Sequence, residues 1–202
     1  MKELLAILVL AACTSDTGDR ESVVPLTDSG SATAFPPASS LRVCGVTPAT
    51  HVSGRGLGDL EIGGSVDEIR RLCNVVRDTV VQSDEATNER VLDVGVAGDT
   101  LTAIVESGKV WRIELDRSTF RTSDSLGVNT PLRRLLEHPG LRGFEGEGVL
   151  YVAAPSLCGL SFALSYIPAD QEHRVTWTHA DLRQLPAETR VERLLVIGCG
   201  NR

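Results

Sequence analysis

The residues of this chain that could act as nucleophile, base or metal ligand are scattered rather than patterned. Its four histidines are His51, His138, His173 and His179. A helical zinc site needs two histidines one turn apart with a carboxylate nearby. His173 and His179 miss that register, and no His-Glu-x-x-His run occurs, so the histidines read as surface or loop residues. No two cysteines stand at the short spacing of a zinc knuckle. The Gly-x-Ser-x-Gly elbow of a nucleophilic serine is absent. Gly54-Arg55-Gly56-Leu57-Gly58 has the composition of a phosphate loop. Such a loop must leave an apolar strand and open directly into a helix, whose first N–H groups hold the anion. No apolar strand precedes it and the next helix signal waits until Ser65, so it reads as a lead-in. Asp59 with Glu61, or Glu145 with Glu147, could pair as acid and base. Carboxylates so close together on polar loops are ordinarily just solvated. No catalytic residue, cofactor or metal is expected.

Composition sets outer bounds. The chain has 202 residues, 42% of them apolar, which is enough to build a core. Its 20 Lys and Arg against 27 Asp and Glu give a net charge of −7. With no positive excess to neutralise phosphates, nucleic acid is not an expected partner.

The first residues supply the clearest address. Met1-Lys2-Glu3 precedes an apolar run from Leu4 to Leu10, then Ala11-Ala12-Cys13. A charged start, a short apolar stretch and a small-residue exit read as a secretory signal over residues 1–12, too short for the ~20 residues that span a bilayer. Leu10-Ala11-Ala12-Cys13 resembles the bacterial lipobox. The resemblance implies cleavage before Cys13, acylation of its thiol and a membrane held by the lipid anchor. In that family the residue after the cysteine influences sorting. Thr14 implies the outer membrane, with the protein facing the periplasm. Residues 14–40 are dominated by Ser, Thr, Asp, Gly and Pro, with Phe35 the only aromatic. Such a segment buries too little to offset its chain entropy, so residues 13–40 read as a lipidated, disordered tether. That leaves residues 41–202 for the domain.

With Cys13 assigned to lipid, Cys44, Cys73, Cys158 and Cys199 form an even set in an exported chain, and two disulfides follow. Of the three possible connectivities, Cys44–Cys73 and Cys158–Cys199 is preferred. The first clips the segment before a helix to that helix's end. The second ties the last strand to an element shortly before it. The enclosed loops of about 30 and 40 residues would each contribute ~3–4 kcal/mol.

The elements of the domain are read from caps and periodicity. Ser65 with Glu68 forms a capping box, and Val66, Ile69, Leu72 and Cys73 share one helical face. Strands follow at Val75–Val81, Arg90–Ala97, Thr100–Glu106 and Lys109–Asp116. In the last of these the alternating apolar set is Trp111, Ile113 and Leu115, which makes Trp111 a core residue. Ser107-Gly108 is a two-residue hairpin turn. The order then recurs: Thr130 as N-cap, Pro131 at the first helical position, Leu132, Leu135 and Leu136 as the stripe. Strands at Gly148–Ala154 and Cys158–Tyr166 come next, then a capped helix Thr178–Gln184 and a strand Val191–Gly198. Arg70-Arg71 and Arg133-Arg134 sit at matching places in the two helices and read as solvated faces, a shared anionic contact being the alternative. Trp177 reads as a hydrophobic staple before the last helix, or else as an exposed contact. The expected fold class is α+β: two similar units, about 57–117 and 118–202, each a short helix plus antiparallel strands, with the helices packed on the sheet.

Leu60-Glu61-Ile62-Gly63-Gly64-Ser65-Val66-Asp67-Glu68-Ile69 and Gly108-Lys109-Val110-Trp111-Arg112-Ile113 resemble a domain common in bacterial lipoproteins. It is similar to the β-lactamase-inhibitor-protein-like fold and to small lipoproteins of the barrel-assembly machinery. The second copy matches more weakly, at Leu126-Gly127-Val128 and Thr130-Pro131-Leu132. These motifs carry fold rather than function. The expected function is a lipid-anchored cell-envelope protein that binds or scaffolds an unidentified envelope protein without catalysis. Ser107, Gly108 and Trp177 are the candidate contact surface. The alternative is an inhibitor of an exported enzyme, with Ser107-Gly108 as the inserted tip. An envelope hydrolase is a further alternative.

Overall fold

A computed structural model describes residues 44–47, 49–82, 88–146, 148–166 and 176–200. The signal, Cys13 and the tether lie outside the described residues, as do His173 and Glu147. The first element among the described residues is a small antiparallel hairpin, β1 (Gly56–Leu57) and β2 (Leu60–Glu61). Helix α1 (Val66–Leu72) leads into β3 (Asn74–Gln82), β4 (Asn88–Val96), β5 (Asp99–Glu106) and β6 (Lys109–Leu115). The second half runs α2 (Leu132–Leu135), β7 (Arg142–Gly146), β8 (Val149–Ala153), a 3₁₀ turn Pro155–Leu157, β9 (Leu160–Leu164), α3 (His179–Leu182) and β10 (Val191–Val196).

Strands β3 to β10 form one eight-stranded antiparallel sheet in the order β3-β4-β5-β6-β10-β9-β8-β7. Each half contributes four consecutive strands, and the last strand of each half meets the other at the centre. There Leu115 faces Leu194 and Ile113 faces Val196.

The α+β class, with helices as a layer on the sheet, is not what forms. Among the described residues the protein is mostly β, and the helices are a single turn or two. Local chemistry explains why. A helix must fix several residues before its first bond repays them, so short apolar stripes propagate only when nothing stops them. The first is stopped at Cys73, whose backbone is already extended and whose thiol is tied to Cys44. The β-branched run of β3 follows at once. The second is stopped by Pro139-Gly140 and the third by Pro186. The caps also differ in detail. Ser65 accepts from the Glu68 N–H, but no reciprocal bond returns from Glu68. Pro131, not Thr130, is the N-cap of α2. Buried Thr130 instead accepts from the Gly127 N–H at 2.9 Å. Thr178 and Asp181 do make a full capping box.

The core lies on one face of the sheet. Leu92 and Val94, Leu101 and Ala103, Ile113 and Leu115, Leu194 and Val196, Phe162, and Leu150 and Val152 all point to it. Ile69 of α1, Leu135 of α2 and Leu182 of α3 close it. The Ser107-Gly108 turn has positive φ at both central residues, 51° and 78°. That is the twist a two-residue hairpin needs. The end of this hairpin is anchored to the start of α1: the Gly63 N–H donates to Val110 O at 2.7 Å, and the Val66 N–H to Gly108 O at 3.1 Å. A charge cluster pins the other end of the helix. Arg70 of α1 and Arg90 of β4 both pair with Asp78 of β3.

Candidate functional site

The opposite face of the sheet holds the candidate site. It begins with an irregularity in β6. Ile104 pairs with Arg112 and Val105 with Val110, so β6 carries one extra residue, Trp111. Such a bulge turns two consecutive side chains toward the same side. Val110 therefore takes the buried place, and Trp111 is 37% exposed on the outer face. This corrects the expectation that Trp111 is core. Its neighbour Arg112 lies over the indole, 4.6 Å from the ring centre.

Across the sheet, β7 and β8 supply the second aromatic element. Phe144 and Tyr151 are register partners, and their rings stack at 5.5 Å with 17° between planes. Between the two aromatic walls, Leu195, Ile197 and Ser161 form the floor. Together these residues line an open groove of about 340 Å³. From β6 to β7 is four strand spacings, roughly 19 Å between backbones.

The charges at the β6 wall are shared. Glu114 lies 2.8 Å from Arg112 Nε and 3.4 Å from Arg193 Nη1. The contact to Arg112 Nε is an ion pair by distance but lacks hydrogen-bond alignment, so that buried N–H has no acceptor. The Ser161 hydroxyl is also buried without a hydrogen-bond partner.

The other sequence candidates fall elsewhere. Ser107 and Gly108 are exposed, but the Gly108 carbonyl is engaged by Val66, which makes the turn a dock for α1. Trp177 is buried rather than exposed, at 6%. Its Nε1–H donates to Glu145 at 2.8 Å, and its backbone exchanges two hydrogen bonds with Gly143 of β7. The Gly54–Gly58 loop is packed rather than open. A Cβ on Gly54 would sit 1.9 Å from the Cys158 carbonyl. Glu61 pairs with Arg55. His138 contacts Ser156, and His179 contacts the Leu136 carbonyl. Among the described residues, no group of His, Cys, Asp and Glu could hold a metal ion. Cys44 is joined to Cys73 and Cys158 to Cys199, with Cα atoms 4.1 and 5.3 Å apart.

Arg112, Phe144, Tyr151, Ser161, Leu195 and Ile197 were not singled out from sequence. One signal for them exists. Leu194-Leu195-Val196-Ile197 does not alternate, so this segment has apolar residues on both faces. β7 itself is hard to foresee, because Arg142-Gly143-Phe144-Glu145-Gly146 has two glycines and little β propensity.

These features define a class: an exported, mostly β protein with two disulfides, built on a single large antiparallel sheet that bears an aromatic groove. Among the described residues no helix is long and apolar enough to cross a membrane. In comparison with solved structures, the chain is similar to the uncharacterized protein yfeY from Escherichia coli. The TM-score is 0.52 at 15% identity, covering 73% of this chain and 99% of that one. At that identity the likeness shows the fold alone. No protein-family model matches the chain, and no curated protein matches it.

Proposed function

We propose that this chain is a lipid-anchored, non-catalytic binding protein of the cell envelope, held at the outer membrane by acylated Cys13 and facing the periplasm. It engages a protein partner through the outer face of its sheet. The observation that carries this reading is the groove itself. Trp111 and Phe144, 37% and 42% exposed, stand over an apolar floor whose Ile197 is itself 44% exposed. Large apolar side chains gathered in this way, with charge at the margin, are what a contact surface needs. The tether would give the domain reach from the membrane, and two disulfides would suit an oxidising compartment. No specific observation favours the inhibitor alternative.

The test is site-specific photocrosslinking in intact envelopes. A benzophenone side chain at Ile197 should capture one defined envelope protein. The same group at exposed Glu188, which does not line the groove, should not. Equal capture from both positions, or none from Ile197, would remove the outer face as the contact surface. Globomycin treatment tests the anchor separately: unprocessed precursor should accumulate.

A further inference from the structure

The groove presents an occupant with three demands at once. Its floor is apolar at Leu195 and Ile197. Set into that floor is the Ser161 hydroxyl, 2% exposed and without a hydrogen-bond partner. At the β6 wall Arg112 shares the carboxylate of Glu114 with Arg193 of β10, and the buried Arg112 Nε–H is left without an acceptor.

These demands select among occupants. The Ser161 hydroxyl is already shut off from water, and an alkyl chain lying on the floor would leave it without a bond, which is unfavourable for a buried hydroxyl. A wholly polar ligand would leave Leu195, Ile197 and the rings without apolar contact. A peptide segment supplies every part: an apolar side chain for the floor, a peptide group for Ser161 and a carboxylate for the under-bonded Arg112 guanidinium. An aromatic side chain fits the walls best, because rings pack favourably against other rings. The groove volume of about 340 Å³ is at the small end of ligand pockets, which suits one anchoring side chain and its neighbours.

We propose that the groove takes an aromatic side chain of a partner protein with a carboxylate beside it, the carboxylate pairing with Arg112 and a peptide group with Ser161. This rests on the reading of the outer face as a contact surface and adds the chemistry of what it contacts.

The smallest probe with these parts is N-acetyl-phenylalanine. Its neutral amide and plain acetate serve as controls. Each is titrated into the disulfide-intact chain carrying labelled Leu and Ile methyl groups, and shifts are read at Leu195 and Ile197. The acid should saturate these shifts with a Kd of roughly 1 mM, as expected for a ligand of its size. The amide should bind at least about fivefold more weakly, through loss of a charge-assisted bond. Arg112→Gln should erase the difference between acid and amide, a ratio that a general loss of packing would not move. Ser161→Ala should weaken both about threefold. Ile197→Glu, at an exposed position, should abolish binding while the fold persists.

Equal binding of acid and amide, or shifts that bypass Leu195 and Ile197, would overturn the proposal. So would saturation by myristate where N-acetyl-phenylalanine does nothing, which would make the groove a lipid site. The two readings fail separately. Capture of a defined protein from Ile197 with no preference for the acid keeps the contact surface and removes this ligand chemistry. Absence of capture removes the surface and the proposal with it.

Discussion

Arg112 lies over the ring of Trp111, 4.6 Å from its centre, although the two are consecutive residues of one strand. Strand neighbours ordinarily point to opposite faces. The extra residue between the Ile104–Arg112 and Val105–Val110 pairs brings them to the same side. One bulge thus moves an indole out of the core and places a guanidinium against it.

Trp111 keeps more than half of its surface covered, so it contributes to stability, but less than a fully buried residue of the core. Trp111→Ala should cost about 1–2 kcal/mol, whereas Ile113→Ala, two residues on and fully buried, should cost about 2–4 kcal/mol. Urea unfolding of both variants checks this. Acrylamide should quench the Trp111 emission and spare buried Trp177. A Trp111 variant as damaging as the Ile113 variant would place the indole back in the core.

The disulfide pairing has a direct chemical readout. Proteolysis without reduction should release linked fragments joining Cys44 to Cys73 and Cys158 to Cys199. Replacing either pair by serine should lower stability by about 2–5 kcal/mol. Cross-linked fragments from the first pair to the second would contradict the structure.

Asp78 sets an acid limit. Hydrogen bonds from Arg90 and then Arg70 hold its carboxyl at about 2, against an ordinary 3.8. The unfolded chain therefore takes up this proton first as pH falls. The associated stability, about 1–2 kcal/mol, is complete above about pH 4 and is lost between about pH 4 and 2. Asp78→Asn should be less stable than the parent at neutral pH and should flatten that part of the stability profile. An unchanged profile in the variant would show that the two arginines are not coupled to folding.

The capping box of α3 should matter beyond its size. Thr178 accepts from the Asp181 N–H, and Asp181 accepts from the Thr178 N–H at 2.8 Å. Thr178→Ala should cost about 1 kcal/mol, and Thr178→Ser nearly nothing. Because Trp177 immediately precedes the cap and pairs with Gly143, the alanine variant should also loosen β7. Faster amide exchange at Gly143 would register it. Unchanged exchange there would show that the cap acts on the helix alone.

What sequence and structure each decide divides along the range of the interactions. Turns, caps and alternation depend on residues a few positions apart, so Ser107-Gly108, Thr178 with Asp181, and the inward set Leu92, Val94, Leu101 and Ala103 were legible in the chain. The parity of four cysteines beyond Cys13 was legible as well, because pairing in an exported chain is a matter of counting. Other features depend on partners far away in sequence. Whether a short apolar stripe becomes a helical layer depends on what stops it and what covers it, and here one large sheet took the core instead. The central pairing of Leu115 with Leu194 closes a separation of dozens of residues that no local pattern marks. The bulge at Trp111 appears only when β6 is held against β5, since a single strand has no register to break. The groove is the sum of such long-range choices. Its walls come from β6, β7 and β8 and its floor from the β9 and β10 segments, and only the folded sheet sets Arg112, Ser161 and Phe144 around the same space.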